Sequence, residues 1–148
     1  MSELIEVPFE ETLRVRDSCL CLHIQRAARA LARSYDEALR PLGLTSGQFS
    51  LMMSLNRPEA PTMGMVSEVL AMDRTTVTAN LKLLERRGLV RIAVDPSDRR
   101  SRRLSLTPAG LQLLAQALPL WDRTQDEIRQ RMSGIDLERL CKDLHRLS

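Results

Sequence analysis

Between Thr62 and Leu106 the spacing of apolar residues switches from a helical to an extended period, and each switch carries a residue suited to end or begin an element. The pattern predicts a short helix from about Thr62 to Leu70 and a break at Ala71-Met72. A second helix follows, N-capped by Asp73 and running to about Arg87, where Gly88 stops it. Leu89–Val94 then alternates, with Val90, Ile92 and Val94 on one side, and Arg103–Leu106 alternates through Leu104 and Leu106. The polar run DPSDRRSR, Asp95 to Arg102, lies between them, so the segment reads as a β-hairpin with a connection longer than a tight turn. A helix pair of this kind followed by a hairpin has only a small core of its own. Other elements must cover it.

Those elements flank it. From Pro8 to Pro41 the apolar residues Leu20, Ile24, Ala27, Ala28, Leu31, Tyr35 and Leu39 recur at three- and four-residue spacing, predicting one long amphipathic helix closed by Pro41 and Gly43. Thr45-Ser-Gly-Gln48 has capping-box spacing and opens a helix to about Leu55, which Arg57-Pro-Glu-Ala-Pro61 ends. Thr107-Pro108 sets an N-cap before an N1 proline and opens a helix to roughly Met132, with Pro119 expected to kink it. Asp136 offers a last cap before the stripe Leu137, Leu140, Cys141, Leu144 and Leu147. The expected class is mainly α with a small β-hairpin wing, a winged helix-turn-helix between N- and C-terminal dimerisation helices. One domain covers 1–148, with dimerisation helices over about 10–40 and 108–148 and the winged module over about 45–107. Apolar stripes that one small subunit does not cover favour an intertwined homodimer.

Several classes drop out. No run of about 18 uncharged apolar residues is present to span a bilayer. The N-terminal MSELIEVPFEETLR is acidic where an export signal is basic and then apolar, so a cytoplasmic location is expected. The chain has no Gly-rich phosphate loop, no nucleophile–base–orienter set and only 2 histidines, which argues against an enzyme. No cofactor is expected.

The net charge of +3 conceals an uneven distribution. From Asp73 to Arg103 nine basic residues face four acids, leaving the segment at +5 and the remainder at −2. Such concentration is what phosphate binding requires, although a solvated charged face gives the same count. On a helical wheel of the Asp73–Arg87 segment, Val77, Leu81 and Leu84 share the inward face. Thr75, Ala79, Lys82 and Arg86 lie opposite, with Thr76 and Thr78 at the flanks. Small and hydroxylated residues at the start of that outer face suit entry into a major groove, and the basic residues further along suit phosphates. A capped surface helix is the plain alternative. Four arginines within five positions, Arg99, Arg100, Arg102 and Arg103, repel one another unless an anion or a narrow minor groove relieves them. Asp98 is placed to hold one of them. A winged helix devoted to protein association is the rival reading.

The segments LTSGQFSLM, DRTTVTANLKLLERRGLVRI and DPSDRRSRRLSLTPAG together resemble the MarR (multiple antibiotic resistance regulator) family over roughly Leu31 to Gly110. The most specific part is the wing's Asp-x-Arg pattern, Asp98-Arg99-Arg100, followed by Leu-Thr-Pro-x-Gly. The resemblance implies a dimer held by its first and last helices and bound to a pseudo-palindromic operator in double-stranded DNA. It implies that the Asp73–Arg87 helix reads the major groove and Arg100 the minor groove. Arg74, Thr75, Thr76, Thr78, Ala79, Lys82 and Arg86 on the helix, with Arg99, Arg100 and Arg102 on the wing, are the expected DNA contacts. It also implies a repressor released by a small ligand or by oxidation. The ligand, commonly an aromatic acid or phenol, would bind between the DNA module and the dimerisation helices, where Arg26, Phe49, Met52 and Met53 are candidates.

The cysteines and histidines lie outside the winged module, in Cys19-Leu-Cys21-Leu-His23 and Cys141-Lys-Asp-Leu-His145. Cys21, eight residues before Arg29, resembles in position the reactive cysteine of the family's organic-hydroperoxide-sensing branch. Gln25 and Phe49 replace the tyrosines that usually polarise it there. Cys19 with His23 and Cys141 with His145 are also i, i+4 pairs able to complete a Cys₂His₂ zinc site across two helices. Structural thiols are the third reading, with no metal bound.

Overall fold

Residues 5–148, which the computed structural model describes, form seven helices and one hairpin. The first four residues of the acidic N-terminal stretch lie outside the described residues. In chain order the elements are α1 (Phe9–Ser18), α2 (Leu20–Leu39), a 3₁₀ turn (Arg40–Leu42), α3 (Ser46–Leu55), α4 (Met63–Leu70) and α5 (Arg74–Arg86). These are followed by β1 (Val90–Asp95), β2 (Asp98–Leu106), α6 (Pro108–Arg131) and α7 (Leu137–His145).

The caps form where the side chains call for them. Thr45 Oγ1 accepts from the Gln48 N–H and Gln48 Oε1 accepts from the Thr45 N–H, both at 3.2 Å, closing the capping box of α3. Thr62, Asp73, Thr107 and Asp136 each accept a first-turn N–H at the start of α4, α5, α6 and α7. Gly88, at φ +73°, leaves α5 in the left-handed conformation that only glycine adopts without cost. Ala71 takes the same region, φ 50°, in the turn between α4 and α5. That turn is therefore strained, and it is held by the Ala71 N–H donating to the Glu68 carbonyl and the Met72 N–H to the Ser67 carbonyl, both at 3.1 Å.

Two expectations need correction. The single helix predicted between Pro8 and Pro41 is divided at Cys19, whose backbone is extended at φ −72°, ψ 108°. Asp17-Ser18-Cys19 places three residues of low helix propensity in a row, and no buried side chain of α1 holds the helix through them. The hairpin is also longer than expected. β2 begins at Asp98, so the turn is only Pro96-Ser97, and the arginines sit on a strand. The ladder pairs Ala93 with Arg103 and Val94 with Arg102, then jumps to Asp95 opposite Asp98. Arg99, Arg100 and Ser101 consequently have no partner across the ladder and bulge from it.

The core lies where α3, α4, α5, the hairpin and α6 converge on Leu39, Leu51, Met52, Val66, Val77, Leu81, Leu84 and Leu104. Tyr35 of α2 and Phe49 of α3 both stack with Trp121 of α6, with centroids 6.4 and 6.5 Å away. Three of the chain's four aromatic residues thus join the flanking helices α2 and α6 to each other and to α3 of the winged module. By contrast, α1 and α7 contribute no buried residue, and Leu20, Ile24 and Leu31 of the α2 stripe are exposed.

Candidate nucleic-acid interface

α5 is held on three sides. Val77, Leu81 and Leu84 are fully buried, which fixes its rotation. Asp73 Oδ1 accepts the Thr76 N–H at 2.8 Å and Asp73 Oδ2 accepts the Thr76 hydroxyl at 3.0 Å, fixing its start. These bonds hold the Asp73 carboxyl below the usual carboxylate range, the backbone N–H contributing most. Just past its end, Arg87 donates from Nη1 to the Gly43 carbonyl at 2.7 Å and from Nη2 to the Leu42 carbonyl at 3.0 Å, tying the helix to the turn that follows α2.

With the rotation fixed, Arg74, Thr75, Thr76, Ala79, Lys82 and Arg86 are exposed. Thr78 is half-buried and its hydroxyl lies 4.0 Å from the Met63 sulfur, so it packs on α4. The Thr76 hydroxyl is engaged in the cap. The side chains of this set that project freely are therefore Arg74 at the start of the helix and Thr75, Ala79, Lys82 and Arg86, which form one row along it.

The wing arginines divide into kinds that the sequence alone did not separate. Arg99 and Arg100 stand in the bulge, exposed. Asp98 spends an oxygen on the Arg100 backbone N–H at 3.0 Å; the expected hold on an arginine side chain is replaced by one on the backbone. Arg102 donates to the Arg99 and Ser101 carbonyls, bracing the bulge. Arg103 turns inward. Its Nε donates to Asp95 Oδ2 at 3.0 Å and its Nη1 to the Ala60 carbonyl at 2.9 Å. Asp95 Oδ1 accepts from both the Ser97 N–H and the Ser97 hydroxyl. The Ser97 bonds first, and the Arg103 charge after them, hold the Asp95 carboxyl below its usual range. Arg87, Asp95 and Arg103 were missed as organising residues because their partners are distant in sequence, although Asp95-Pro-Ser carries a local signal as a side-chain-capped turn.

The remaining candidates disperse. Phe49 and Met52 are core residues, while Arg26 and Met53 lie at the surface. None of these four lines either cleft described among residues 5–148. The larger, about 310 Å³, runs between α2 and α6 along Ser34, Glu37, Leu120, Arg123, Thr124 and Glu127. Cys21 is exposed and its sulfur accepts from Gln25 Nε2 at 3.3 Å. Cys19 is half-buried in the helix break and Cys141, expected to be a buried thiol, is exposed on α7. Among the described residues of one chain, no group of three or more histidines, cysteines or acids is gathered to hold a metal. Tyr35 donates to Gln125 Oε1, and partial burial, with the Cys141 thiol near it, raises its hydroxyl above the usual pKa.

A protein-family model described as the MarR family matches residues 42–101. The organic hydroperoxide resistance transcriptional regulator of Bacillus subtilis is 30% identical over 128 residues, 86% of each chain. The transcriptional regulator MosR of Mycobacterium tuberculosis, in complex with DNA, is 38% identical, with TM-score 0.78 over 88% of this chain and 93% of that one. The transcriptional repressor CouR, bound to a 23-mer DNA duplex, is 27% identical, with TM-score 0.81 over 99% of both chains.

Proposed function

This chain belongs to the MarR family of DNA-binding transcriptional regulators, and from that premise we propose that it is a homodimeric repressor occupying a pseudo-palindromic operator. The observation that carries the reading is the exposed row Thr75, Ala79, Lys82 and Arg86 on α5, beside a wing whose bulge presents Arg99 and Arg100. In the duplex, Thr75 and Ala79 meet base edges in the major groove, the alanine methyl suiting thymine, while Lys82 and Arg86 meet phosphates. Arg74, Thr76 and Thr78 support the helix entry, and Arg100, in the bulge that Asp98 and Arg102 brace and beside Arg99, enters the minor groove. The whole chain acts as one domain. Its dimer is supported by the exposed apolar residues Val15, Leu20, Ile24 and Leu31 at one end and Ile135, Leu144 and Leu147 at the other, which a partner's helices would cover. The test is duplex binding by an Arg100→Ala/Arg102→Ala double variant. Weaker binding with a shallower salt dependence is expected. Unchanged binding and slope would favour a protein-association module.

Release of the operator is assigned to a small aromatic or phenolic effector acting between the winged module and the flanking helices. Titrating such acids into the protein–duplex complex tests this, and no release by any of them argues against it. A second reading, oxidation at Cys21 by an organic hydroperoxide, is favoured by one observation: the exposed sulfur already accepts a hydrogen bond from the Gln25 side-chain N–H. A Cys21→Ser protein that still releases DNA normally on peroxide addition excludes it.

A further inference from the structure

We propose that Arg103 is a positioning residue for DNA binding: paired with Asp95 and the Ala60 carbonyl, it sets the angle of the wing against the helix pair. This rests on the DNA-binding reading above. Arg103 belongs by sequence to the arginine-rich run, yet its half-buried guanidinium is already paired with Asp95. Its guanidinium spans two groups at once, Nε to Asp95 Oδ2 at 3.0 Å within the hairpin and Nη1 to the Ala60 carbonyl at 2.9 Å outside it. The Asp95 side chain is only 7% exposed. The carboxylate that receives Arg103 is itself fixed by the Ser97 N–H and hydroxyl in the turn. The turn of the hairpin is thus connected, through one side chain, to the connector before α4.

The second anchor is backbone. The Leu104 N–H donates to the Pro61 carbonyl at 2.9 Å, and Thr62 bridges Arg103 across the sheet edge. Thr62 also N-caps α4, its Oγ1 accepting from the Met65 N–H. The connector before α4 therefore holds the wing and starts the first helix of the pair, so the wing and α4–α5 share one reference point. Arg103 stands at the fulcrum, with Arg100 three residues nearer the turn and, because the bulge shortens the path, at most about 10 Å away at strand rise. A 10° swing about that fulcrum displaces the tip by on the order of 2 Å, a large fraction of a minor groove about 6 Å wide. Lysine keeps the charge but, as a single point donor on a flexible stem, cannot hold the two acceptors in the fixed fork that arginine supplies.

The test compares wild type, Arg103→Lys, Asp95→Asn, the double variant and Arg100→Ala on an operator duplex selected by the wild-type protein. Affinity is measured across salt, the wing by hydroxyl-radical footprint, and the Leu104 amide by hydrogen exchange without DNA. Arg103→Lys is expected to bind about tenfold more weakly, the scale of a lost groove contact. Its salt slope should be unchanged, the wing's minor-groove footprint weakened, and Leu104 exchange faster. Asp95→Asn should match it, and the double variant should lose little more. Arg100→Ala should instead flatten the slope. Wild-type affinity and footprint in Arg103→Lys overturn the proposal, as does an Arg103→Lys variant whose slope falls as far as that of Arg100→Ala. If the wild-type protein binds no duplex, the repressor reading fails and takes the positioning role with it, whereas protected Leu104 exchange in Arg103→Lys rejects the strut alone. Melting of each variant separates lost folding from lost orientation, and a folded Asp95→Asn that binds normally also refutes the assignment.

Discussion

Replacing Lys82 by glutamine probes the seating of α5 most cleanly. Lys82 is exposed, lies one turn from both Ala79 and Arg86, and forms no ion pair among the described residues. Its removal should change folding stability by no more than about 0.5 kcal/mol, as for other surface substitutions away from caps and pairs. On DNA its effect should be electrostatic and doubled, because the proposed dimer presents two copies of α5. Each neutralised phosphate contributes about 0.9 to the slope of log affinity against log salt, so losing one contact per reading head flattens the slope by about 1.8. From about 50 to 200 mM salt, the ratio of wild-type to variant affinity should shrink by roughly twelvefold. Fluorescence anisotropy with a labelled operator duplex over a salt series reads this directly. Parallel log–log lines for the two proteins would refute the reasoning: Lys82 would then meet no phosphate, and the helix would not lie in the groove with this face inward.

Leu81→Ala should cost about 3–5 kcal/mol in denaturant unfolding, because Leu81 is fully buried on α5; a cost below about 1 kcal/mol would contradict the core described. Gly110→Ala places a methyl 2.1 Å from the Leu89 carbonyl oxygen, so α6 must move off the hairpin and stability should fall by at least about 1–3 kcal/mol; a wild-type melting temperature would deny that contact. The carboxyls of Asp73 and Asp95 are held below their usual range, so their contribution is complete above the unfolded carboxyl pKa and is lost as pH falls through the lower folded one. Stability should therefore fall below about pH 4, and Asp73→Asn, which keeps a cap but cannot titrate, should flatten the fall; an unchanged pH profile argues against it.

What was legible in the sequence was local. Thr45 with Gln48, Asp73, Thr107-Pro108 and Asp136 mark helix starts through bonds spanning three residues, and each occurs as spaced. The inward face of α5 followed from Val77, Leu81 and Leu84 because a helix buries its residues by period alone. What escaped depends on register or on distant partners. Alternation located the strands but not the jump from Val94–Arg102 to Asp95–Asp98, so Arg99 and Arg100 were expected in a loop and are found in a bulge. Four neighbouring arginines looked equivalent until Asp95 and Ala60 claimed Arg103. Phe49 and Met52 read in the sequence as pocket residues because apolar side chains lining a cavity and filling a core share one pattern; Trp121, 72 residues beyond Phe49, helps decide for the core. The break at Cys19 was hidden for a related reason, since the apolar period continues across it.

Selection of bound duplexes from a random pool tests the central claim most directly. Enrichment of a pseudo-palindrome whose half-sites lie about one helical turn apart, bound by two chains, is the expected result. Recovery of no preferred sequence, or of a single half-site bound by one chain, would contradict it.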